Sequence, residues 1–106
     1  MKLVFTSDEL MQECNNQKLL HKRYGGELAK ALRLRLDELF NAQSLEEMRS
    51  LPHIVISGSP RDKGPLRLDL TGVHQLTFRP HPVPKIGHGG MDWKKIDSIL
   101  ILGISG

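Results

Sequence analysis

Cysteine is nearly missing from this chain. Its 106 residues hold one, Cys14. A single thiol closes no internal disulfide, which fits a reducing compartment. Long apolar runs are missing too. The solid stretch from Ile99 to Ile104 falls far short of the roughly 20 residues that a spanning helix needs. The opening MKLVFTSDEL turns polar and acidic after Phe5, unlike a signal peptide. These features predict a cytoplasmic protein with no membrane association. No repeat or low-complexity segment is present. No Cys pair or closely spaced His pair offers a metal site. His81, His88 and Asp92 are too loosely arranged for one, so neither a metal nor a cofactor is expected.

What is present is an ordinary globular composition, 39% hydrophobic and 25% charged. The length suits one domain, residues 1–106. The formal net charge is only +3, but it is unevenly spread. Residues 1–51 carry eight Lys/Arg and eight Asp/Glu. Residues 52–106 carry seven against four, with four of the five histidines. A basic, histidine-bearing half is what a polyanion-binding face requires, although scattered solvated lysines give the same count.

MKLVFT alternates and predicts a short strand. TSDE reads as a capping box, with Thr6 as the cap and Glu9 reaching back. CNNQ is poor helical sequence. Helical character returns from Lys18 to Tyr24 and breaks at Gly25-Gly26. Leu28, Leu32, Leu36, Leu39 and Phe40 then form the apolar stripe of the best helix in the chain. SLEEM opens a shorter helix capped by Ser44 with Glu47, and Pro52 ends it.

Beyond Pro52 the period changes. HIVIS, PLRLDL, HQLTF and SILILGI are short strand-like runs. Alternation sets Leu66, Leu68 and Leu70 against Arg67 and Asp69, and His74, Leu76 and Phe78 against Gln75, Thr77 and Arg79. The last run is apolar on both faces and is expected inside the sheet, covered by helix on one side. Pro80 to Gly90 reads as a loop. The predicted class is α+β, with an N-terminal strand and helices packed on one face of a small, mostly antiparallel sheet.

Three segments resemble a known family. KRYGGELAKALRLRLDELFNAQSLEEMRSLP is similar to the helical half of the HigB-like toxins, or plasmid-maintenance killer proteins, of the RelE/ParE toxin superfamily. RLDLTGVHQLTFRPHPVP resembles that family's paired strands, and GGMDWKKIDSILILGI its closing loop and strand. The resemblance covers roughly residues 18 to 104. It implies a RelE-like β-α-α-β-β-β-β domain and the toxin half of a two-gene toxin–antitoxin module. The implied activity is ribosome-dependent cleavage of mRNA. The implied partners are the mRNA, the ribosome and a helix-turn-helix, HigA-like antitoxin, through which alone operator DNA is reached. The ParE branch instead inhibits DNA gyrase.

Metal-free RNA cleavage needs a base for the 2′-OH, cations for the charged phosphate and an acid for the leaving oxygen. Arg61, Lys63, Arg67 and Arg79 are the phosphate-binding candidates, with Arg67 closest to the chemistry. His74 stands where the family commonly has Tyr and is the proton-transfer candidate. Asp69 is expected to pair with a nearby Arg, and Trp93 to anchor its loop to the core. His53 is expected at the surface. Two departures from the family bear on catalysis. Gln75 occupies the family's strand Arg, and the family's tail of an acidic residue followed by Asp-Tyr-His has no counterpart after Ser105 and Gly106. The alternative function is therefore a catalytically degenerate homologue that binds antitoxin, with gyrase inhibition a more distant one.

Overall fold

The computed structural model describes residues 1–58, 65–81 and 93–105. Strand β1 (Lys2–Phe5) leads into four helices: α1 (Asp8–Cys14), α2 (Gln17–Tyr24), α3 (Gly26–Asn41) and α4 (Leu45–Arg49). Strands β2 (Ile56–Ser57), β3 (Leu66–Thr71), β4 (His74–Pro80) and β5 (Ser98–Ser105) follow, with a 3₁₀ turn at Trp93–Lys95 before β5. The sheet order is β1-β5-β4-β3-β2. β1 runs parallel to β5, and every other pair is antiparallel. The fold is α+β as expected, and β5 lies inside the sheet.

Local chemistry explains the helix boundaries. Ser7, one residue later than Thr6, caps α1 by accepting from the Leu10 N–H at 3.1 Å. Thr6 is committed to the sheet, its N–H donating to Ile101 O. The poor helical sequence CNNQ is the junction of two helices. Asn16 caps α2, its Oδ1 accepting from the Lys18 and Leu19 amides. Gly25, at φ 84°, closes α2 and opens α3, a backbone state that suits glycine. Ser44 caps α4 by accepting from the Glu47 N–H, while Glu47 Oε2 accepts from the Gln43 N–H.

α3 buries Leu28, Ala29, Leu32, Leu36 and Leu39, but Phe40 is 65% exposed and does not join the core. At about 100° per residue, Leu39 returns to within about 20° of Leu28, whereas Phe40 lies about 120° away. From the sheet, Leu66, Leu68, Leu76, Phe78, Ile99 and Ile101 meet the helices in one apolar cluster. Trp93 packs against that cluster, with the Arg49 guanidinium 4.3 Å from its ring centroid. Trp93 thus meets the core as expected, while the loop before it lies outside the described residues. No polar or charged residue is buried among the described residues.

Two strand boundaries differ from expectation. HIVIS forms a strand of only Ile56 and Ser57, with the Val55 carbonyl also accepting from the Asp69 N–H, and His53 is exposed and meets the Glu38 carboxylate, which also takes Arg35. β4 runs on to Pro80, which the sequence suggested as the start of a loop. The His81 N–H donates to Ser98 O, so Pro80, opposite Ile99, occupies a position where β5 requires no donor.

Candidate nucleic-acid interface

The period-2 geometry of β3 and β4 divides their side chains between a helix-covered face and an open one. Leu66, Leu68, Leu76 and Phe78 are fully buried on the covered face. Arg67 is in register with Thr77, and Asp69 with Gln75. These four, with Arg79, take the open face. Arg79 lies diagonally across from Arg67, a relation that sets Cα atoms about 7–8 Å apart. Arg67 is exposed and Arg79 half-buried. Neither has an ion pair among the described residues. The Nε–H of Arg79 is buried with no acceptor among those residues.

A bulge in β5 completes this face. Thr77 pairs with Gly103 but Phe78 pairs with Ile101, so Leu102 is left over. Gly103 sits there at φ 152°. The extra residue resets the alternation of β5. Ile104 then packs against the core, and Ser105 is brought opposite Gln75. The Ser105 and Thr77 hydroxyls are 3.3 Å apart. Asp69 pairs with no arginine among the described residues. Its Oδ1 accepts from the Gln75 amide at 2.8 Å, the residue directly opposite. That bond occupies one carboxylate oxygen, and among the described residues neither Arg67 nor Arg79 is ion-paired to the other oxygen.

His74 stands elsewhere. It shares the parity of Leu76 and Phe78. It lines a hollow with Tyr24, Gly25, Gly26, Glu27 and Thr71, where the β3–β4 turn meets the start of α3. The fold thus brings Arg67 and Arg79 together but holds His74 on the opposite face of the sheet. The alternation read in the sequence already set His74 apart from Gln75, Thr77 and Arg79. The register between strands, which fixes Arg67 opposite Thr77, was not visible there. Arg61, Lys63, His88 and Asp92 lie outside the described residues. His81 is exposed just after β4.

Sequence reasoning missed the hydroxyl pair. Thr77 was legible as a neighbour of Arg79 on one strand face. Ser105 was not, because only the β5 bulge turns it to that face. No helix among the described residues is long and apolar enough to cross a membrane. Comparison of the chain with protein-family models, curated proteins and solved structures gave no match.

Proposed function

We propose that this chain is a toxin-like domain of a two-gene toxin–antitoxin module and that it grips an RNA backbone on the open face of its sheet. The observation that carries this reading is the pair Arg67 and Arg79, on adjacent strands of one face, with no carboxylate partner among the described residues. Two arginines in this diagonal relation on one face suit contacts to a phosphate backbone. Thr77, Ser105 and the Gln75 amide add neutral hydrogen-bonding groups suited to sugar and phosphate oxygens. The HigB-like resemblance supplies the biological setting: a helix-turn-helix antitoxin as partner and ribosome-bound mRNA as target.

The geometry supports binding better than cleavage. Attack by a 2′-OH needs a group to take its proton and another to protonate the leaving oxygen. The described open face offers two hydroxyls and a carboxylate held by Gln75. His74, the residue suited to proton transfer near neutral pH, lines the hollow on the other side. A homologue that binds without turnover is therefore the leading reading. The second reading is a ribosome-dependent mRNA endoribonuclease. It is favoured by the same two arginines, which suit the charge that builds on a phosphate under attack.

Expression without any antitoxin, with mapping of new 5′ ends on translating ribosomes, separates the two. The binding reading predicts RNA retained on the purified protein and no new ends. Cleavage that disappears in His74→Ala, with RNA binding preserved, would establish the nuclease instead. Absence of both RNA retention and cleavage would remove both readings.

A further inference from the structure

The opposite edge of the sheet carries a second surface. Among the described strands β1 bonds only to β5 and forms one edge. The Lys2 N–H donates to Asp97 O at 2.8 Å and the Thr6 N–H to Ile101 O at 3.2 Å. Residues 2, 4 and 6 therefore turn their backbone groups inward. By strand alternation Leu3 and Phe5 turn theirs outward, to an edge that no described strand occupies. Beside that edge, on the helix side, runs a groove of about 500 Å³. Leu3, Phe5, Met11, Leu36 and Phe40 form its apolar lining. Phe40 is 65% and Met11 41% exposed, although both are large and apolar. An unpaired strand edge alongside exposed apolar surface is what proteins normally cover.

We infer that a second copy of this chain covers it, by antiparallel pairing of β1 with its symmetry mate about a dyad at Val4. The outward groups decide what kind of segment fits, because two alternate N–H and C=O pairs are satisfied only by an extended strand. The register decides in favour of a copy. A dyad at Val4 sets Leu3 opposite Phe5 twice and Val4 opposite itself, all apolar pairs. It sets Lys2 opposite Thr6, so no like charges meet. The groove rim agrees. Its Arg33 and Asp37 are paired with each other at 2.7 Å, so apart from Lys2 the rim presents no unbalanced charge to repel its own copy. The two grooves merge across the dyad, where the Phe40 and Met11 side chains of both copies fill them. Arg79 on the central strand β4 and Arg67 on β3 lie inside the sheet, away from the β1 edge, so pairing there does not cover them.

Sedimentation across a range of concentrations, together with amide hydrogen exchange, tests this. The expected result is a monomer–dimer equilibrium in which the Leu3 and Phe5 amides gain protection as dimer forms. The Val4 amide, bonded to β5, is protected throughout. Phe40→Glu changes a side chain the monomer leaves exposed. It should weaken the dimer by about tenfold or more while circular dichroism stays native. A chain that stays monomeric at every concentration overturns the inference. So does a dimer that leaves Leu3 and Phe5 unprotected, or protection that arises only when a different polypeptide is added.

Discussion

Cys14 is 1% exposed in the core, and its thiol is pushed from the usual value of 9.0 up to about 11. Burial is the main cause and the neighbouring Glu13 carboxylate the next, against an opposing pull from Arg33. Arg33 Nη1 also donates to the Cys14 carbonyl at 2.8 Å, tying the end of α1 to α3. Because the folded thiol holds its proton more tightly than the unfolded one, its contribution is complete below pH 9 and is lost as pH rises towards 11. Tyr24 is raised too, chiefly by burial, and acts in the same direction. Denaturant unfolding should therefore show stability falling across that window, by about 2–3 kcal/mol from the thiol. Cys14→Ala should flatten the fall. The native thiol should also resist alkylation until the chain unfolds.

At the scale of single elements, the bulge in β5 is the most consequential local feature. It lets one strand keep Ile99, Ile101 and Ile104 inward while presenting Ser105 beside Thr77. Gly103 holds the required positive φ with open space around it, so a side chain there meets strain and no clash. Gly103→Ala should cost about 1–3 kcal/mol in chemical denaturation. It should also weaken any contact made through Ser105. Fold class, the α3 stripe and the alternation of β3 and β4 were legible because each is a short-range period in the sequence. The bulge, the Asp69–Gln75 bond and the parallel pairing of β1 were not, because register is set between distant segments. Phe40 misled for a simpler reason. It sits next to the true stripe residue Leu39, and adjacent positions on a helix point about 100° apart. His74 shows the same limit at the site. Its residue type suggested proton transfer, and its face of the strand separates it from Arg67.

For the molecule as a whole, the sheet divides its labours. One face holds the core against the helices, the open face carries Arg67 and Arg79 with no ion pair among the described residues, and no described strand covers the β1 edge. The net charge of +3 is too small to drive tight binding by itself, so the proposed affinity for RNA rests on where the cations sit. The salt dependence of binding tests that most directly. Affinity for a labelled single-stranded RNA should be measured by fluorescence polarisation at several salt concentrations, for the native chain and for Arg67→Ala/Arg79→Ala. Loss of two phosphate contacts should lower the slope of log K against log salt by about 1.4, with a similar effect on RNAs of unrelated sequence. An unchanged slope and affinity in the double variant would contradict an RNA-gripping face built on Arg67 and Arg79.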